Sequence, residues 1–236
     1  MQGKNRGKGM DFQEGWLDSQ IKENKIFQKA FIHRSFLNEA GSNMESNERL
    51  EFLGDSVLSF IISSYLYKTR LSDAEGDLTN LRSYIVKTKS LAKAASDLNL
   101  GSYLQLSKGE ELSGGRDNTQ ILANTFEALL GALYLETGLD TATEFINRYL
   151  LPLFEEELKS GPPKDAKSYL QEVAQTKTKQ SPKYKILSTT GPDHAKQFSV
   201  GVFLEGRMIG EGQGSSKQVA EEAAATKALQ DLQIIL

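Results

Sequence analysis

From Asp11 to about Leu158 apolar residues recur three and four positions apart, the spacing of one face of an α-helix. The periodic segments are FQKAFIHRSFL, NERLEFLGDSVLSFIISSYLYKTR, GDLTNLRSYIVKTKSLAKAASDL, TQILANTFEALLGALYLETG and DTATEFINRYLLPLFEEELKS. Turn signals at Gly41-Ser42-Asn43, Ser72-Asp73, Gly101-Ser102, Gly114-Gly115 and Gly138 separate them. Residues 11–158 therefore read as an all-α domain. KSGPPKD, residues 159–165, cannot continue a helix and reads as a linker. Beyond it the period changes. AKSYLQEVAQTK is amphipathic at helical spacing, whereas YKILSTTG, KQFSVGVFLEG and RMIGEGQG alternate as antiparallel strands do. SSKQVAEEAAATKALQDLQ closes as a helix, with Ser215 or Ser216 as its N-cap. Residues 166–236 are thus a small α+β domain of order α-β-β-β-α.

Composition narrows the chemistry. There is no cysteine, which excludes disulfides, thiolate metal sites and a thiol nucleophile and is compatible with a reducing cytoplasmic location. No apolar run is long enough to predict a membrane span. Residues 1–10 form a basic, Gly-rich arm carrying Lys4, Arg6 and Lys8, expected to be a solvated tail rather than a secretory signal. The formal net charge is −3, unevenly spread: an acidic helical body precedes a tail in which nine cations meet eight acids. That asymmetry suggests different tasks for the two parts.

The densest chemistry lies in NERLEFLGDSVL, residues 47–58. Asn47 is placed to cap a helix on which Glu48, Glu51 and Asp55 share a stripe among core-type residues. Acids in such surroundings lose hydration, and their charge requires balance. Acids at a helix N-terminus are also favoured by the macrodipole, which accounts for Glu48 but fits Asp55, two turns in and past Gly54, poorly. On these residues alone both readings stand. A second pair, Asn124 and Glu127, lies three apart on an otherwise apolar helix whose Ala123, Ala128, Gly131 and Ala132 allow close packing. If the two helices meet there, oxygen donors without His or Cys converge, which selects Mg²⁺ or Mn²⁺ and points to phosphoester chemistry. His33 and His194 are the only histidines, and neither neighbours a plausible nucleophile; His33 is expected to be a hydrogen-bonded packing residue.

NERLEFLGDSVL, HRS at 33–35, GGRDNTQILANTFEALLGALYL, SYLQE and SKQVAEEAA together resemble bacterial ribonuclease III, in the same order and over about residues 11–235. The resemblance implies a homodimeric endoribonuclease that cleaves double-stranded RNA with two metal ions. It implies products with 5′-phosphate and 3′-hydroxyl ends, in the processing of ribosomal and other precursor RNAs. It implies Glu51, Asp55, position 124 and Glu127 as metal-holding, Asp55 and Glu127 as most critical, and Glu48 and Glu75 as supporting acids. Gln171, Gln175, His194, Ser215, Ser216 and Lys217 match RNA-contact positions; Arg82 and the loop Lys108–Arg116 are further candidates. More apolar surface on residues 50–67 than one helical stripe requires is expected to face a partner subunit.

Two departures stand out. The family has Asp where this chain has Asn124, and often two or three cations where this chain reads SSKQVAE, although Lys177, Lys179 and Lys196 are nearby. An amide keeps the shape of the carboxylate but loses a unit charge and replaces one acceptor with a donor. Three readings of Asn124 remain: a deliberate replacement that traps RNA uncut, a natural variant with slower or Mn²⁺-leaning chemistry, or an Asn that caps or bonds locally. A catalytically silenced double-stranded-RNA-binding protein on the same fold is the alternative to an active nuclease.

Overall fold

A computed structural model describes residues 12–13, 15–40, 44–162, 165–192 and 195–231. The basic arm, the Gly41-Ser42-Asn43 turn, part of the predicted linker, and His194 lie outside the described residues. The chain divides into two compact units, with the boundary between Pro162 and Pro163.

The first unit is helical: α1 (Trp16–Glu23), α2 (Lys25–Ala30), α3 (Leu37–Ala40), α4 (Glu48–Thr69), α5 (Glu75–Ile85), α6 (Thr88–Asp97), α7 (Lys108–Leu112), α8 (Thr119–Thr137), α9 (Leu139–Tyr149) and α10 (Glu155–Ser160). Its core gathers Phe27, Phe31, Leu58, Ile62, Leu66, Phe126 and Phe145, all essentially inaccessible. The two longest helices, α4 and α8, pass through the middle and touch backbone to backbone. A Cβ on Gly54 would lie 1.8 Å from the carbonyl oxygen of Glu127, and one on Gly131 would lie 2.3 Å from that of Leu50. Glycine inside a helix costs ~1 kcal/mol against alanine; here the missing side chain is the contact itself.

Several local expectations are corrected. Asn47 occupies the N-cap position of α4 without capping it; its Nδ2 donates to the Ala30 carbonyl at 3.1 Å and the residue is 3% exposed. A buried amide needs a partner, and the last residue of α2 supplies one. The segment 76–98 is two helices, parted at Val86 and Lys87, with the buried Ser90 hydroxyl donating to the Tyr84 carbonyl. The segment 140–160 likewise divides around Pro152, which sits in a 3₁₀ turn. Residues 108–116 are not a plain loop. Ser107 Oγ caps α7 by accepting from the Glu110 N–H at 3.2 Å, and a 3₁₀ turn, Gly115–Asp117, follows. At the other end, Arg70 Nη1 donates to the carbonyls of Leu158 and Lys159 at 2.7 and 2.8 Å, so the helical unit extends into the first residues of the expected linker.

The second unit comprises α11 (Ala166–Thr178), β1 (Lys183–Thr190), β2 (Gln197–Leu204), β3 (Arg207–Gly214) and α12 (Lys217–Asp231). The strands form one antiparallel sheet of order β1-β2-β3. Glu205 and Gly206, at φ 51° and 80°, make the two-residue turn that joins β2 to β3. Both helices pack on one face, around Leu170, Val202, Ala224, Ala228 and Leu229. Gly210, Gly212 and Gly214, two apart on β3, meet α12 so closely that a Cβ on Gly212 would lie 2.2 Å from the Ala224 nitrogen. Period-two glycines on a strand thus match alanines four apart on a helix, and the two backbones meet.

Candidate active site

The Gly54–Glu127 contact sets the geometry of the acidic cluster. Glu51 precedes Gly54 by one turn and Asp55 follows it, while Glu127 lies directly across on α8 with Asn124 one turn before it. Glu51, Asn124 and Glu127 are half-buried and Asp55 is exposed, so the cluster lines a rim rather than a sealed cavity. Burial pushes the Glu127 carboxyl up to about 7, and the charges of Asp55 and Glu51 push in the same direction. Glu51 is raised as well, first by burial and then by the charge of Glu48. A hydrogen bond from Asn124 and the charge of Arg34 pull Glu51 the other way. Groups that disfavour each other's ionisation in this way make the cluster a candidate for holding a cation or a proton.

The donor set fits a hard divalent cation: carboxylate and amide oxygens only, mutually repelling, at one helix crossing. Among the described residues no cation pairs with Glu51, Asp55 or Glu127, and Arg34 reaches only Glu48, at 4.0 Å. The described side chains also include no group of three or more His, Asp or Glu gathered as a ready-made cage. The fit is therefore one of chemistry and placement, with side-chain rotation on two fixed helices left to complete it.

The remaining sequence-predicted residues are distributed as follows. Glu48 is exposed at the start of α4, accepting from Ser46 Oγ at 2.8 Å, and its charge acts on Glu51. Glu75 opens α5, where Thr79 Oγ1 donates to it at 3.0 Å, and it is not among the groups acting on Glu51 or Glu127. Arg116 is consumed internally: Nη1 donates to the carbonyls of Gly101 and Leu104 at 2.9 and 3.0 Å, and Nε donates to Glu111 at 2.7 Å. It is a clamp, and the expectation of an RNA contact there is replaced. Arg82 Nη1 donates to Ser63 Oγ at 3.0 Å. His33 Nδ1 is 2.8 Å from Ser35 Oγ, and burial lowers its pKa, in keeping with a packing role.

In the second unit Gln171 and Gln175 are exposed on α11, and Ser215, Ser216 and Lys217 are exposed where α12 begins. Ser216 Oγ accepts from the Val219 N–H at 3.3 Å, the expected N-cap. A groove of about 810 Å³ between α11 and α12 brings Gln171 and Gln218 to one opening. Lys177, Lys179 and Lys196 are exposed as well.

Residues 23–153 match the family model described as Ribonuclease-III-like, and residues 166–232 match that of the double-stranded RNA binding motif. The chain belongs to the ribonuclease III family. A Ribonuclease 3 of Pelotomaculum thermopropionicum is 46% identical over 209 residues, covering 88% of this chain and 87% of that one. The Ribonuclease 3 of Caldanaerobacter subterraneus subsp. tengcongensis is 42% identical, covering 96% and 99%. Among solved structures, the nuclease domain of ribonuclease III from Campylobacter jejuni, described for flexibility in a region involved in dimer formation, aligns with a TM-score of 0.53. It is 39% identical and covers 58% of this chain and 96% of that one. As a ribonuclease III, the chain has a helical nuclease unit and a unit whose partner is double-stranded RNA. No described helix is long and apolar enough to cross a membrane.

Two residues with a place at the site carried no assigned role in the sequence reading. Arg34 lies within the HRS motif, and only the fold brings it beside Glu48 and Glu51. Gln120 was legible in principle: it stands four residues before Asn124 on one helix, the spacing at which side chains meet, and its Nε2 donates to Asn124 Oδ1 at 2.6 Å.

Proposed function

We propose that this ribonuclease III is a metal-dependent endonuclease that cuts double-stranded RNA to 5′-phosphate and 3′-hydroxyl ends, as a homodimer, and that Asn124 impairs it. The observation that carries the reading is the α4–α8 crossing at Gly54, which sets Glu51 and Asp55 against Glu127. Glu51, Asp55 and Glu127, joined by Asn124 where its amide oxygen turns to face them, would hold Mg²⁺, or Mn²⁺ in its place; two such ions, when bound, would lower the pKa of the attacking water and neutralise the leaving oxygen. Asp55 and Glu127 anchor from opposite helices. Glu127 must release its proton to do so, Glu48 supports the rim electrostatically, and Glu75 would support the site through water. Gln171, Gln175, Ser215, Ser216, Lys217 and His194 grip sugar hydroxyls and phosphates by shape across neighbouring grooves. The work falls in the maturation of ribosomal and other precursor RNAs in the cytoplasm.

Cutting both strands in one visit needs two sites, which a twofold dimer supplies. Phe52, Phe60 and Tyr67 on α4 support that arrangement, at 78%, 56% and 74% exposed. Large apolar side chains left in water along one helix point to a partner.

A silenced RNA-binding protein is the second reading, and the Asn124 amide favours it: it eases the ionisation of Glu51, where a carboxylate would oppose it. Incubating a labelled duplex with Mg²⁺, Mn²⁺ or chelator, beside the Asn124→Asp variant, distinguishes the two. Slow metal-dependent products from the chain as it stands support the enzyme. Tight binding without product under any ion, with cleavage recovered only in Asn124→Asp, supports the silenced form.

A further inference from the structure

Asn124 has a neighbour on each side. Gln120 Nε2 donates to its Oδ1 at 2.6 Å, and across the helix crossing its amide lies near enough to Glu51 to favour the ionised carboxylate. An ionised carboxylate can only accept, so the group facing Glu51 is the Asn124 NH₂. The oxygen and nitrogen of a primary amide occupy opposite branches, so Oδ1 then faces Gln120. Gln120 thus holds the Asn124 oxygen from one side while the Asn124 NH₂ faces Glu51 on the other.

We propose that Gln120 is a positioning residue that locks the Asn124 amide with its oxygen turned from the Glu51, Asp55 and Glu127 carboxylates, where a divalent cation would need it. The inference deepens the metal-centre reading and rests on it. Gln120 is exposed on the first turn of α8, and its backbone N–H is already held by the Asn118 side chain at 2.9 Å. Its side chain is therefore free to reach forward one turn. A carboxylate at 124 would present an oxygen on either branch, so Gln120 could bond one and leave the other to the ion. With an amide there is only one oxygen, and the bond from Gln120 holds it on the branch away from Glu51. The same glutamine is thus tolerated beside a carboxylate and obstructive beside an amide. Residue 120 thereby contributes to how severely the Asn at 124 weakens the site.

The test is a double-mutant cycle on the full chain with Mn²⁺ alone as the probe. Gln120→Met keeps the length and removes the donor. Calorimetric Mn²⁺ affinity is expected to rise about tenfold on Gln120→Met, the lower end of outer-shell effects on metal sites. In the Asn124→Asp background the same change is expected to leave affinity level or lower it. The second readout needs no metal: selective ¹⁵N-asparagine spectra should contain one side-chain NH₂ pair that vanishes in Asn124→Asp and moves in Gln120→Met. An NH₂ pair that stays in place in Gln120→Met overturns the hold of Gln120 on the amide. A pair that moves, with affinity unaltered or altered equally in both backgrounds, overturns its bearing on the ion. Mn²⁺ affinity indifferent to both Asn124→Asp and Glu127→Gln would instead remove the metal-centre reading beneath it.

Discussion

Against the Asp that the family resemblance implies at position 124, the Asn124 amide lacks a unit of charge beside Glu51 and Glu127. Asn124→Asp is expected to raise Mg²⁺-dependent cleavage by at least about tenfold to a hundredfold, and Glu127→Gln to abolish it in either background; single-turnover cleavage of a labelled duplex measures both. Glu127 has a second signature. Its carboxyl is raised from 4.5 to about 7 in the folded protein. Below pH 4.5 the proton is bound in both states and the group is neutral to folding. Between 4.5 and 7 the unfolded chain releases a proton that the folded chain keeps, so stability falls as pH rises, levelling above 7. In chelator, the melting temperature should drop by roughly a few degrees across that window, and Glu127→Gln should flatten the slope. Cation affinity should rise over the same interval, because binding displaces that proton. The acids were legible in the sequence because Glu48, Glu51 and Asp55 share a stripe among apolar neighbours. Arg34 was not, because only folding brings its loop to that stripe.

Helix α4 meets α8 by subtraction of side chains. Gly54→Ala would drive a methyl group into the Glu127 peptide, and no flexible side chain is there to give way. A cost of about 1–3 kcal/mol or more is expected, read as a lowered urea midpoint together with lost cleavage. Gly109→Ala is the control, since a Cβ there meets nothing within 4 Å. Periodicity located both helices within a residue or so, and the oddity of a glycine inside the first was visible without coordinates. The breaks at Val86–Lys87 and Pro152 were less legible, because the apolar spacing carries on through them and only the buried Ser90 or the 3₁₀ turn marks the change. The 108–116 stretch misled for the opposite reason: a run rich in Gly and charge looks like loop, yet Ser107 caps a helix there and Arg116 ties the turn to Gly101 and Leu104. On the outer face of α4, Phe52→Ala should weaken self-association, observed as a higher dimer dissociation constant by sedimentation, with helical content unchanged.

At the scale of the whole chain, the two units divide catalysis from grip. The change from helical to alternating period placed that division, and the prolines at 162 and 163 marked it. The sequence pattern could not supply how β3 packs: glycines at 210, 212 and 214 read as weak strand until the alanines of α12 are seen lying against them. At the start of α12 the grip is sparing in charge, since Lys217 is followed by Gln218 where the family resemblance implies further cations. Gln218→Lys should tighten duplex binding and steepen the dependence of log affinity on log salt by about 0.7–0.9, measured by filter binding between low and physiological salt. An unchanged slope would place residue 218 away from phosphate.

Where Gly54 rests on the carbonyl of Glu127, the candidate metal-holding acid and the load-carrying crossing are one piece of backbone. Such a centre has no slack. A residue elsewhere in the interior can be enlarged and its neighbours repacked, but widening this crossing shifts the Glu127 peptide itself and carries its carboxylate away from Asp55. Attempts to make the protein hardier are therefore best directed at the far ends of α4 and α8, leaving their point of contact as it is.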